Sequence, residues 1–258
     1  MLVFKTDLWL HLGGLAFERF LGRLSPCMLG DLRSSSLRSM DDADRTLVAS
    51  AHYAGGTSHR AMATPSYATH YHLAERAPFL NLSDVSPGDL DDVLASLERD
   101  SRSVGSRRVF GRRYMELRHR TEARMRDLFV AAGGLPERAS PHYFVLGSSR
   151  WFEGLATDMQ QIVLELKRMP AAVTSCTYPD SFTSMGFGPD YGLPSEPKPY
   201  HGRVFSLADL PSLIARYGLP EDLPDQNYDG YEQRPFEKYV EVQLWSDEPV
   251  LVFLPQLR

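Results

Sequence analysis

The last long apolar stretch of the chain, at 238–245, carries polar side chains at alternate positions. Two interleaved sets make up this stretch, apolar Val240, Val242 and Leu244 and polar or aromatic Tyr239, Glu241, Gln243 and Trp245. Side chains of a β-strand alternate between its faces, so each set is predicted to lie on one face. A row of phenol, carboxylate, amide and indole fits the wall of a polar cleft that binds a substrate. The same row also fits a solvated sheet face.

Two further predicted strands have a polar face of the same kind. Segment 2–12 places Trp9 and His11 opposite three leucines. Segment 79–83 is predicted as a short strand with Asn81 and Ser83 on one face. If these strands join 238–245 in one sheet, an imidazole, a hydroxyl and the Glu241 carboxylate line one cleft.

The order of these three groups along the chain resembles that of the ADP-ribosyltransferases, in which a His, a Ser or Tyr, and a late Glu follow one another. Segment 8–13, Leu-Trp-Leu-His-Leu-Gly before a short predicted helix, is similar to the family's strand-His-x-Gly-helix motif. Segment 77–83 resembles its second motif, although Asn-Leu-Ser stands where the family has Ser-Thr-Ser. Glu241 matches the catalytic glutamate, with Glu237 and Glu248 as alternative carboxylates.

This resemblance implies NAD as a substrate and transfer of its ADP-ribose to an acceptor. Cleavage of the nicotinamide–ribose bond builds positive charge on the ribose. Glu241 would stabilise that charge and hold the ribose 2′-hydroxyl. His11 would hold the adenosine-side ribose, and Ser83 would position the nicotinamide end.

Other side chains on the same predicted faces are expected to contact the cofactor or the acceptor. The resemblance implies that Tyr239 or Trp245 stacks on a ring, and Trp9 joins His11 as a cofactor contact. Gln243 would orient the acceptor, for which a protein, a nucleic acid and a small molecule all remain open.

A cluster of histidines suggests a different chemistry. Four of the eight histidines, His52, His59, His70 and His72, lie between positions 52 and 72. His70 and His72 would share one face of a strand and, with Asp84, could hold zinc or iron in a metal-dependent hydrolase. The pattern lacks a carboxylate at a recognised ligand spacing.

A predicted helix at 107–131 is rich in arginine. Its eight arginines are Arg107, Arg108, Arg112, Arg113, Arg118, Arg120, Arg124 and Arg126. Glu116, Glu122 and Asp127 are spaced to pair with several of them. The helix therefore presents either a solvated, partly paired face or a basic face, at 107–126, that binds nucleic-acid phosphates.

The remaining periodicity predicts a single α+β domain over 1–258, with a mixed, substantially antiparallel sheet flanked by helices. Further predicted strands are 142–147, 171–178 and 250–254. Further predicted helices are 15–24, one opened by Ser86-Pro87, an apolar stripe over 152–166, and one opened by Ser206 with Asp209. Polar loops are predicted at 30–66 and 179–201.

Composition restricts the class of protein. The 258 residues carry a net charge of −5, which argues against nucleic-acid binding over the whole surface. Two cysteines suggest a reducing compartment. Lys5 and Asp7 interrupt the N-terminal apolar run, so it is predicted to be neither a secretory signal nor a membrane span. We therefore expect a cytoplasmic protein without a membrane partner.

Overall fold

An antiparallel sheet forms the centre of the computed structural model, which describes residues 63–74, 76–103, 111–186, 196–220 and 237–253. Six strands are found in these ranges: β1 (Tyr67–Leu73), β2 (His142–Leu146), β3 (Met159–Glu165), β4 (Thr174–Thr177), β5 (Phe205–Ser206) and β6 (Glu241–Leu244). Their order is β3-β1-β2-β6-β4-β5, and every neighbouring pair is antiparallel. The predicted α+β class with an antiparallel sheet is confirmed.

Local sequence signals account for the helices that flank the sheet. The helices in the described residues are α1 (Leu90–Ser103), α2 (Arg112–Ala131), α3 (Arg150–Glu153), α4 (Ser181–Ser184) and α5 (Leu210–Tyr217). A capping box of Ser206 and Asp209 precedes α5, and Gly218 at φ 79° ends it. Gly134 follows α2, where a Cβ atom would lie 2.4 Å from the Phe129 ring.

The alternation in the last strand separates two hydrophobic cores. Tyr239 and Trp245 pack in the core that contains the apolar residues of α1 and α2. Val240, Val242 and Leu244 pack in a second core with α5. The two predicted sets therefore face opposite sides of the sheet, as strand geometry requires.

The strand predicted at 79–83 is wrong, because the chain turns there. Phe79 has a φ of 61°, a left-handed conformation that a strand cannot contain. The side chain of Asn81 then accepts from the Ser83 N–H and caps a 3-10 turn, Leu82–Asp84. Asn81 and Ser83 are thus positioned by a turn rather than by a strand.

The helix predicted at 152–166 is also wrong. Helix α3 ends at Glu153 with Gly154 as its C-cap, and β3 then pairs with β1 over its full length. Ile162 and Val163 are β-branched and favour this extended pairing.

The other boundaries differ in smaller ways. The strand predicted at 250–254 does not form in its described part, because a 3-10 turn, Glu248–Val250, ends there and 251–253 continue as a turn. β4 starts at Thr174, after a 3-10 turn, Ala171–Val173. The loop predicted at 179–201 contains α4. The predictions at 2–12 and 15–24, and most of the 30–66 loop, lie outside the described residues.

Candidate functional site

The polar row of the last strand is buried rather than solvated. Glu241 is 4% exposed and Gln243 is 0% exposed, and Tyr239 and Trp245 are buried beside them. Tyr239 packs against the rings of Trp151 and Phe152, with centroids 6.2 and 5.1 Å away. The row therefore belongs to the interior face of the sheet that α1 and α2 cover.

Hydrogen bonds fix the orientation of the Gln243 amide. Its Oε1 accepts from Ser175 Oγ at 2.9 Å, while its Nε2 donates to Thr177 Oγ1 at 2.9 Å and to Glu241 Oε1 at 3.1 Å. Ser175 in turn accepts from Trp245 Nε1 at 2.8 Å. These contacts join β4 and β6 through side chains as well as through backbone pairing.

The Glu241 carboxylate has a second donor from the segment that follows β4. Ser181 Oγ donates to the same oxygen, Oε1, and Ser181 is completely buried. The side chain of Asp180 caps α4 by accepting from Phe182 N at 2.9 Å and Thr183 N at 3.0 Å. The cap fixes the first turn of α4, and with it the Ser181 hydroxyl, beside the last strand.

A buried ion pair lies on the same face of the sheet. Arg118 and Glu122, one turn apart on α2, approach to 3.0 Å, and both are buried. Glu122 accepts from the hydroxyls of Ser83 at 3.0 Å, Ser140 at 3.0 Å and Tyr143 at 2.7 Å. Arg118 donates from Nε to Ser83 Oγ at 2.6 Å. A buried charge pair persists only when such additional bonds satisfy it.

Tyr143 lies between the ion pair and the last strand. It lies on β2 directly opposite Gln243 of β6. Burial, with added repulsion from the charges of Glu122 and Glu241, raises the pKa of the Tyr143 phenol well above its ordinary value. Burial alone would lower the pKa of Arg118, but the neighbouring Glu122 charge raises it above its usual value.

These residues form one polar layer between the sheet and the helices. We call it the polar layer, and its members are Ser83, Arg118, Glu122, Tyr143, Ser181, Glu241 and Gln243. Of the predicted site residues, Ser83, Glu241 and Gln243 belong to it, and Tyr239 lies on the same face. His11 and Trp9 lie outside the described residues.

The alternative carboxylates have other surroundings. Glu237 accepts from Lys198 Nζ at 2.6 Å and from the Tyr200 hydroxyl at 2.9 Å. Glu248 begins the 3-10 turn Glu248–Val250. Neither has a hydrogen bond to the polar layer in the part of the chain that the structure describes.

The predicted histidine pair is held by the backbone. His70 and His72 stack with centroids 6.0 Å apart. His70 Nδ1 bonds the Tyr143 carbonyl oxygen at 3.0 Å, and its Nε2 accepts from Phe79 N at 3.0 Å. Both ring nitrogens of His70 are therefore hydrogen-bonded. Across the described ranges, no three His, Cys, Asp or Glu side chains assemble as a metal site.

Several arginines of α2 contact other groups of the protein, either in its interior or at its surface. Besides the buried Arg118, Arg112 pairs with Asp91 at 2.6 Å. Arg124 donates to the Met185 carbonyl oxygen at 2.9 Å, and Arg126 donates to that of Pro136 at 3.4 Å. Arg107 and Arg108 lie outside the described residues.

Ser181 and Tyr143 were not predicted as site residues from the sequence, and Glu122 was predicted to lie on the helix surface. The spacing of Arg118 and Glu122 indicated a pair but not its burial. Asp180-Ser181 is a helix-start signal that could have been found inside the predicted loop.

None of the described helices combines the length and apolar composition needed to cross a bilayer. No family model, no curated protein and no solved structure matches this chain.

Proposed function

We propose that the protein cleaves NAD and transfers its ADP-ribose to an acceptor, with Glu241 as the carboxylate beside the reacting ribose. The observation that supports this most directly is the pair of hydrogen bonds that orients the Glu241 carboxylate. Two donors from different elements bind its Oε1, so the carboxylate is oriented before a substrate arrives. A preoriented charge stabilises a developing oxocarbenium-like cation without reorganising in the transition state.

Ser83 gives the proposal a second group in the same layer. Its hydroxyl lies between Arg118 and Glu122 and would position the nicotinamide end. His11 and Trp9 keep their proposed roles on the adenosine side, and Tyr239 that of a ring contact. Because Glu241 is only 4% exposed, NAD binding requires part of the polar layer to open.

The acceptor remains a protein, a nucleic acid or a small molecule, and we expect the reaction in the cytoplasm. The two alternative functions have weaker support. Several arginines of α2 already bind protein groups, and both nitrogens of His70 already have backbone partners.

Transfer is tested by incubating the purified protein with adenine-labelled NAD and cell extract, and then separating macromolecules from small molecules. We expect label on an acceptor with the wild type and with Glu237→Gln, and its loss with Glu241→Gln. Glu237→Gln is the matched control, because it also removes a hydrogen-bonded carboxylate next to the last strand. Absence of labelled product with the wild type, together with no thermal shift by NAD, contradicts the proposal.

A further inference from the structure

We infer that Ser181 and Gln243 are positioning residues that set the plane of the Glu241 carboxylate for the reaction. This inference rests on the proposed function. Both residues donate to one carboxylate oxygen, Oε1, and they belong to different elements. Ser181 comes from α4, and Gln243 lies two residues further along the same strand as Glu241. Such a pair of bonds restricts rotation of the carboxylate about its last torsion.

Trp245 and Ser175 determine which atom of the Gln243 amide faces Glu241. Trp245 Nε1 can only donate, so Ser175 Oγ accepts from it and gives its own proton to Gln243 Oε1. With its oxygen so occupied, the amide must present Nε2 to Glu241. A flipped amide would place two acceptor oxygens against each other.

This arrangement gives Gln243 a different role from the acceptor contact expected on the resemblance. Its side chain is 0% exposed, and the amide already bonds Ser175, Thr177 and Glu241. Gln243 therefore acts through Glu241. Ser181 is equally buried, and the cap at Asp180 holds its backbone, so its hydroxyl has little freedom to follow a displaced carboxylate.

Loss of positioning lowers the rate of the bond-breaking step more than it weakens NAD binding. We expect Ser181→Ala to lower kcat for nicotinamide release roughly 10- to 100-fold, since small misplacements of a reacting group have effects of this size. The KM for NAD should change by less than about twofold, because uniform binding contacts remain. Ser181→Cys retains a weak donor and should recover part of the loss.

The matched control is Ser140→Ala. Ser140 also donates a buried hydroxyl to a buried carboxylate on this face, but to Glu122 Oε2 at 3.0 Å. Melting curves establish that each variant is folded at the assay temperature. A fall in kcat for Ser181→Ala alone supports positioning.

Three outcomes overturn the inference in distinguishable ways. Unchanged kcat in Ser181→Ala, with an active wild type, removes the positioning role and leaves the proposed function intact. Equal losses in Ser140→Ala and Ser181→Ala assign both hydroxyls to stability. A wild type that releases no nicotinamide overturns the proposed function and the inference together.

Discussion

The residues with the greatest effect on stability are expected to be Arg118 and Glu122. Both charges are removed from water, and the cost is offset by their mutual contact and by the hydroxyls around them. Tyr143 shares this role, since its phenol donates to Glu122 and its ring lies 5.0 Å from the Arg118 guanidinium. The ion pair thereby joins α2 to β2 and to the turn that carries Ser83.

Replacing Glu122 by Gln should lower the free energy of unfolding by about 3–5 kcal/mol, because it leaves the Arg118 charge buried without its counterion. Urea unfolding followed by circular dichroism measures the loss. Glu116→Gln on the exposed side of the same helix is the control, and a change under about 0.5 kcal/mol is expected there. Equal effects at the two positions would refute a structural role for the buried pair.

Among the elements, the turn between β1 and α1 packs against His70. The Phe79 N–H donates to His70 Nε2, and the Phe79 ring stacks on the imidazole with centroids 4.1 Å apart. These contacts hold Phe79 in its left-handed conformation, which is costly for a residue other than glycine. The residues that follow place Ser83 in the polar layer, so His70 supports that layer at a distance.

Acid should weaken the fold through His70 and His142. Burial lowers the pKa of both imidazoles, and for His70 the neighbouring His72 and His142 lower it further. Below about pH 6.5 the unfolded chain therefore binds protons that the folded chain excludes. Stability then falls as the pH drops from about 6.5 towards the lowered folded-state pKa values.

The measurement is the urea midpoint at pH 7.5 and at pH 5.5. We expect a lower midpoint at the acidic pH for the wild type and a smaller difference for His70→Gln. His119→Gln, on the exposed face of α2, should keep the wild-type difference. A midpoint that rises on acidification contradicts the assignment.

The end of α2 offers a test of packing. Gly134 lies against the buried ring of Phe129, which stacks with that of Trp245 at 6.4 Å. Gly134→Ala should therefore lower the unfolding free energy by about 1–3 kcal/mol, as overpacking does. Gly88→Ala is the control, since its Cβ would meet the nearest atom at an ordinary 3.8 Å. Similar urea midpoints for the two variants count against the close approach.

An element could be predicted from the sequence where the residues that determine it are close together in the chain. The α2 stripe, the capping box before α5 and the alternation in β6 are local signals, and each appears in the structure. The stripe at 152–166 fits helical spacing, but pairing with β1 decides in favour of a strand, and that partner is distant in sequence. Burial of Glu122 depends on three elements meeting, which spacing alone does not encode.

The molecule as a whole places its candidate carboxylate at the centre of the sheet. β6 lies between β2 and β4, so Glu241 is flanked by Val145 on one side and Thr177 on the other. Helices α1 and α2 supply the apolar residues that cover this face. Residues from early and late parts of the described chain therefore contribute to the polar layer. Ser83 and Glu241, which are distant in sequence, lie in one layer for this reason.

The proposed site was predictable in part. Glu241, Tyr239 and Gln243 were predicted to share one face from the alternation in the last strand, and they do so. Ser83 was predicted on a strand that does not form, and a turn positions it instead. Their hydrogen-bond partners were not found, because Ser181 and Tyr143 reach the layer through tertiary packing.

The most direct measurement is nicotinamide release from NAD by the purified wild type beside Glu241→Gln and Glu237→Gln. We expect release by the wild type and by Glu237→Gln, and a loss of roughly 100-fold or more in Glu241→Gln, since a charge aimed at the transition state is removed. Equal release by all three proteins would contradict the role of Glu241. No release by any of them would show that the protein does not cleave NAD.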